Sequence, residues 1–187
     1  MAQSSETSPP EAEATVPYLR PPTSCPSDVA ILVSGLIRDL PGYANRVAYR
    51  SLAVNENETG FGTLLVAGQA ELDPLDISTL TFLDDATTPP EAIQQVFFTT
   101  LEWHYTETDY IPLEQYHWLF LTEAADGWRL ALMFSRAAND DVVGRPPTPP
   151  QESSNGIVGQ AVQLWLRDCR AGAVYPIDSS DAVVTGP

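Results

Sequence analysis

Val29, Leu32, Val33, Leu36, Ile37 and Leu40 recur every three to four residues, which lays one apolar stripe along an α-helix. Ser27 offers an N-cap oxygen ahead of that stripe, and Asp28 complements the positive end of the helix dipole. Pro41-Gly42 reads as the stop, so the pattern predicts a helix over 27–40. A second stripe, Val158, Ala161, Val162, Trp165 and Cys169, predicts a helix over 157–170. Arg167 and Arg170 suit its last turn, and Gly172 can end it.

Between the helices the period drops toward two. Residues 46–54 and 60–71 are β-rich runs separated by the polar cluster 55–59, and 80–83 adds a short strand. Three further runs, 95–107, 115–122 and 128–136, are joined by short loops, the second ending in Asp126-Gly127. With Trp103 opposite Trp118, Tyr105 meets Tyr116, Leu101 meets Phe120, and the large rings share a face. Pairing Trp118 with Leu132 then sets Phe120 against Leu130 and Tyr116 against Phe134. The expected cover for this aromatic face is the helix 27–40.

These patterns predict an α+β fold: an antiparallel sheet of about five strands, an N-terminal helix on one face and a C-terminal helix nearby. The domain is expected over 27–175, with disordered tails at 1–26 and 176–187 and a Pro-rich loop at 144–156. Within that loop Pro146-Pro147-Thr148-Pro149-Pro150 contains PxxP, a docking motif for aromatic grooves, though a stiff linker is the plainer account.

Charge narrows the function. Lys+Arg is 9 against Asp+Glu 25, a formal net charge of -16. Wrapping nucleic acid or coating an anionic membrane needs clustered cations, so both are set aside. Every cation is an arginine, and a chain without lysine has no P-loop and no Schiff-base nucleophile. The longest apolar stretch, 29–37, is too short for a membrane span. Residues 1–10 carry no cation and do not form a signal peptide, yet they look like the spacer that follows one in an exported protein. Cys25 and Cys169 allow one bridge closing a loop of roughly 140 residues; two separate buried thiols are the competing reading.

Candidate chemistry is sparse. The assumed register sets His104 beside His117 on the face opposite the rings, with Glu102 two residues along. Two imidazoles and a carboxylate suit a zinc ion or an acid–base pair, although two sheet histidines also fall on neighbouring strands by accident. Residues 55–60 imitate the start of a calcium loop, but Val66 occupies the position of its bidentate glutamate. Asn57-Glu58-Thr59 is a glycosylation sequon, and Asp84-Asp85 and Asp140-Asp141 are acidic doublets read as solvated charge. No catalytic signature motif occurs, and no cofactor is expected.

Several stretches carry a resemblance. They are Cys25-Pro26 leading into Ile37-Arg38-Asp39-Leu40-Pro41-Gly42-Tyr43-Ala44-Asn45-Arg46-Val47, and Leu64-Leu65-Val66-Ala67-Gly68 before Glu71-Leu72-Asp73-Pro74-Leu75. Gln115-Tyr116-His117-Trp118-Leu119-Phe120-Leu121-Thr122, Gly127-Trp128-Arg129-Leu130-Ala131-Leu132-Met133-Phe134-Ser135 and Leu164-Trp165-Leu166-Arg167-Asp168-Cys169-Arg170 complete the set. Together, over about residues 25–175, they resemble exported proteins of unknown function found in cyanobacteria. The resemblance implies an oxidising compartment and a paired Cys25–Cys169, and it brings no activity.

The reading that follows is a non-catalytic extracytoplasmic protein acting by binding or association, with a basic protein or a second copy as partner. Leu119, Leu121, Ala131 and Met133 would form a pocket or dimer contact if the helix 157–170 left them open. Two alternatives stand beside it. One is a metal-assisted hydrolase using His104, His117 and Glu102. The other is a ligand-binding cup of NTF2-like or cystatin-like style around Trp103, Trp118 and Trp128.

Overall fold

The computed structural model describes residues 23–52, 62–68, 70–72, 93–105, 109–138 and 149–177. The expected turn at 55–60, sequon 57–59, strand 80–83, both acidic doublets and most of the two tails lie outside these residues.

The architecture is α+β. Helix α1 spans Val29–Leu52, strands β1 to β5 span Thr63–Ala67, Ile93–Tyr105, Tyr110–Ala124, Gly127–Ala137 and Gln151–Glu152, and helix α2 spans Ile157–Arg170. The five strands form one antiparallel meander in chain order. Both helices pack on one face of it, α1 beside β1 and α2 beside β4, and against each other.

Helix α1 begins near the expected point, but its cap is Asp28, not Ser27: the Asp28 carboxylate accepts the N–H groups of Ala30 and Ile31 at 2.9 and 3.0 Å. The stop expected at Leu40 does not hold. The helix runs through Pro41 to Leu52, replacing the strand expected over 46–54. A proline costs its own N–H bond and crowds the preceding turn, yet Ala44, Val47 and Ala48 prolong the apolar stripe and are all buried. Burial of two more turns outweighs one breaker. Asn45 adds a clamp, donating from Nδ2 to the Leu64 carbonyl at 3.0 Å and accepting the Leu64 N–H at 2.8 Å. Asn45→Ala leaves both backbone groups of an edge strand unpaired and is expected to cost about 1–3 kcal/mol. A lower urea midpoint with faster amide exchange at Leu64 is the measurement.

Helix α2 has the expected bounds. Gly172, at a φ of 68°, takes the left-handed position that ends it, donating its N–H to the Cys169 carbonyl while Ala173 donates to Asp168. Cys25 and Cys169 form a disulfide with Cα atoms 5.1 Å apart, across 144 residues of sequence. Trp165 Nε1 donates to Asp39 Oδ2 at 2.9 Å, and Tyr43 Oη donates to Asp168 Oδ2 at 3.0 Å, which joins the helices further. The bounds of the expected tails also move. Thr23 donates its N–H to the Gly172 carbonyl, and Pro176 accepts from Arg38, so both belong to the folded body. The end of the expected loop 144–156 forms β5, which pairs with Phe134 and Ser135.

Register departs from expectation by even steps. Trp103 lies opposite Pro112 and Trp118 opposite Phe97, a slip of six residues; Trp118 also faces Phe134, not Leu132, a slip of two. None of the other expected cross-strand ring pairs forms. Even slips preserve the side-chain face, so the aromatic set stays together although its members have other neighbours. The offset follows from β3, which starts at Tyr110 and passes through Pro112. That proline lies where β3 has only β2 beside it, so its missing N–H breaks no ladder.

The choice of covered face is the larger correction. The helices sit on Leu64, Val96, Phe98, Leu119, Leu121 and Met133, all fully or almost fully buried. The rings of Phe97, Tyr116, Trp118, Phe120 and Phe134 occupy the opposite face, each only partly buried. Aliphatic stripes on α1 and α2 pack onto the aliphatic face, whereas Trp and Tyr tolerate partial contact with water. Leu119, Leu121 and Met133 are therefore core, and only Ala131 of that expected patch remains exposed.

Candidate functional site

On the covered face, strand alternation delivers Thr100, Glu102 and His104 from β2, His117 from β3 and Ser135 from β4. Ser153 follows β5. These six side chains form one hydrogen-bonded chain across the sheet. Ser153 Oγ lies 2.7 Å from Ser135 Oγ, which lies 2.7 Å from His117 Nδ1. His117 Nε2 lies 2.8 Å from Thr100 Oγ1, which donates to Glu102 Oε1 at 3.4 Å. Glu102 Oε2 meets His104 Nε2 at 3.2 Å.

One set of proton directions satisfies this chain. Ser153 donates to Ser135 in preference to the longer 3.4 Å contact with the Met133 carbonyl, Ser135 donates to His117 Nδ1, and His117 donates from Nε2 to Thr100, which donates on to Glu102. That assignment requires a neutral imidazole. Burial supplies it, holding His117 down to about 3 against an ordinary 6.5. Burial also raises Glu102, against the opposing pull of His104, Gln115 and Thr100.

The structure brings Glu102 and His104 into contact but keeps His117 one hydroxyl away. His104 faces Ile111 and His117 faces Phe98, so the imidazoles expected side by side stand six residues apart along β2, roughly 20 Å at a strand's rise. Among the described residues, no group of three or more His, Cys, Asp or Glu side chains is placed to hold a metal ion. A serine, an imidazole and a carboxylate in series imitate a nucleophilic relay. However, His117 and Thr100 are each 1% exposed and Glu102 is 0% exposed, so substrate has no access to the imidazole. The chain acts as a polar pin that ties β2, β3, β4 and the β5–α2 turn into one register. The sequence carries no signal for Ser153, and parity with His117 on β2 and β4 is the signal for Thr100 and Ser135.

The opposite face is the better candidate surface. Its central row is Phe97–Trp118–Phe134, with the Phe97 and Trp118 ring centroids 5.3 Å apart. Gln95–Phe120–Leu132 flanks it on one side and Thr99–Tyr116–Arg136 on the other. The Arg136 guanidinium lies 5.2 Å from the Tyr116 ring centroid. Among the described residues, no helix or strand packs on this face. Three nitrogens on it, Gln95 Nε2, Trp118 Nε1 and Arg136 Nε, are buried and have no hydrogen-bond partner among the described residues. The three indoles of the expected cup do not share the face: Trp128 is in the helix-covered core, its Nε1 donating to the Ser27 carbonyl at 3.1 Å.

Comparison with protein-family models, curated proteins and solved structures returns no match for this chain.

Proposed function

We propose that this is a non-catalytic extracytoplasmic protein that acts by association through its aromatic sheet face, with a second copy of the chain as the first occupant. The observation that carries the reading is the row of rings Phe97, Trp118 and Phe134, each only partly buried on a face where no described helix or strand packs. Contiguous half-buried rings are the kind of surface that a protein partner covers. Charge favours a like copy over a basic partner, because Glu114 and Arg136 are the only formal charges on the three rows and the row beyond Tyr116. The face spanned by β2 to β4 is on the order of 600 Å² in projection, against about 800 Å² per partner in a standard interface. Exposed Tyr110, its ring centroid 4.6 Å from that of Trp103, extends it at one end.

The disulfide supports the compartment, since such bridges persist where the surroundings are oxidising. No helix among the described residues is long and apolar enough to cross a membrane. Hydrolysis on a histidine pair has less in its favour, because His117 is held on both ring nitrogens and cannot turn toward His104 without losing both partners.

Sedimentation velocity from about 1 to about 100 μM is the test, the range in which a modest interface would show its Kd. Concentration-dependent dimer that persists in high salt is expected, since ring burial is not screened. Trp118→Ser is expected to weaken the dimer at least about tenfold while the core amides keep their protection. A monomer throughout, with Trp118 fully open to acrylamide quenching, removes the reading.

A further inference from the structure

On the edge of the sheet, away from the aromatic face, β4 and α2 enclose a groove of about 530 Å³, a volume that suits a small molecule. Its lining divides by chemistry. Leu130 and Ala131 from β4 and Leu164 and Leu166 from α2 supply an apolar floor, while Arg129, Arg167 and Arg170 supply the rim. Three of nine cations in a chain of charge -16 therefore surround one groove.

Local carboxylates do not cancel them. Asp126 serves both Arg129 and, at 3.9 Å, Arg170, and Asp168 serves Arg167. Among the described residues, two carboxylates pair with three guanidiniums, which leaves one positive charge over. The last turn of α2 accounts for a preference for Arg167 and Arg170, because cations suit that end of the dipole. It does not account for Arg129, which β4 aims at the same space.

Donor capacity remains as well. Arg129 commits Nη2 to Asp126, and Arg167 commits Nε and Nη2 to Asp168, so Nε and Nη1 of the first and Nη1 of the second have no acceptor among the described residues. Ser154 Oγ accepts the Met133 N–H at 2.9 Å, which leaves its own proton for an incoming acceptor. Arg170 is differently occupied: it donates to the Trp128 carbonyl and packs over Gly127, locking the β3–β4 turn to α2.

We infer that this groove binds a small organic anion, its oxyanion held by Arg129 and Arg167 and its apolar body resting on Leu130 and Leu164. Planar guanidinium forks match carboxylate and phosphate alike, so the recognised chemistry is the oxyanion on an apolar group. The site is separate from the aromatic face and does not depend on it.

The test uses the full chain at physiological salt with phenyl phosphate, benzoate, inorganic phosphate and phenol as probes, read from the Ala131 and Ser154 amide resonances. Saturable binding of phenyl phosphate or benzoate with a Kd below about 1 mM is expected, the better of the two naming the preferred oxyanion. Phenol and inorganic phosphate are expected to bind at least about tenfold more weakly, each lacking one half of the recognised chemistry. Arg129→Gln and Arg167→Gln should each weaken binding about fivefold or more, and together about thirtyfold. Both side chains are at least half exposed, at 50% and 64%, so these variants keep the fold. The Trp118→Ser variant should bind as the parent does, which separates this site from the association surface. Unchanged affinity in the double variant overturns the inference. So does inorganic phosphate binding as tightly as phenyl phosphate, or no saturation by about 10 mM.

Discussion

Replacing Cys25 and Cys169 together by alanine is expected to lower the melting temperature by about 10–20 °C. The bridge joins residues 144 apart in sequence, and in the loop-entropy description a closed loop of that size removes about 5 kcal/mol of freedom from the unfolded chain. Position adds to length. Cys169 is fully buried in the core cluster and Cys25 packs against it, where the segment preceding α1 crosses the end of α2. Without the bridge, the entry segment is held to α2 by the Thr23 bond to the Gly172 carbonyl at 3.0 Å, while α1 itself keeps Asp39 and Tyr43 as its ties to α2. Calorimetry of the parent, the double alanine variant and the reduced parent provides the measurement. A reduced parent that melts within about 3 °C of the oxidised protein would show that the two thiols are merely adjacent core groups.

The two helices show what sequence pattern can and cannot carry. For α2, stripe, closing arginines and left-handed glycine agree, and its bounds emerge intact. For α1, Pro41-Gly42 contradicts the stripe, and local chemistry alone reads as a stop. Ala44, Val47 and Ala48 decide otherwise through burial against the sheet, and that contact is not local in sequence. The strands divide in the same way. Alternation fixed which side chains share a face, because period two survives any even displacement. It could not fix how far each strand slides, which depends on where β3 turns back at Tyr110.

The candidate site inherits both facts. His104, His117 and Glu102 were legible as one-face neighbours through parity, but their separation along the sheet was not. Nor was their burial, because large rings read as core and here lie on the face opposite the helices. Aliphatic Val96, Leu119, Leu121 and Met133 on the other face matched the helices better. That inversion exchanges the two candidate surfaces, leaving the imidazoles inside and the indoles of Trp103 and Trp118 outside.

The buried imidazole yields the second large expectation, an acid weakness that sets in above the range where carboxylates titrate. His117 is held down to about 3 inside the protein and returns to an ordinary 6.5 when the chain unfolds. Between those values the unfolded chain binds a proton that the folded one refuses, so stability rises with pH in that window and is lost as pH falls through it. The slope is about 1.4 kcal/mol per pH unit, and the full loss approaches roughly 4–5 kcal/mol near pH 3. Glu102 acts with the opposite sign. Its raised value means that the folded state favours the proton, so its contribution is complete below the ordinary carboxylate range and fades as pH rises. Comparison with His117→Gln isolates the imidazole, because an amide cannot titrate while its oxygen and nitrogen can still address Thr100 and Ser135. Urea unfolding at pH 7, 6 and 5 should show the parent losing stability with acid and the glutamine variant staying nearly level; parallel slopes would mean that His117 is protonated in the fold. His117→Ala is expected to cost about 3–5 kcal/mol at neutral pH, since it opens a cavity and takes one partner from each of the Thr100 and Ser135 hydroxyls. A glutamine that retains most of that stability would identify hydrogen bonding across β2, β3 and β4, rather than ring packing against Phe98, as what holds the register.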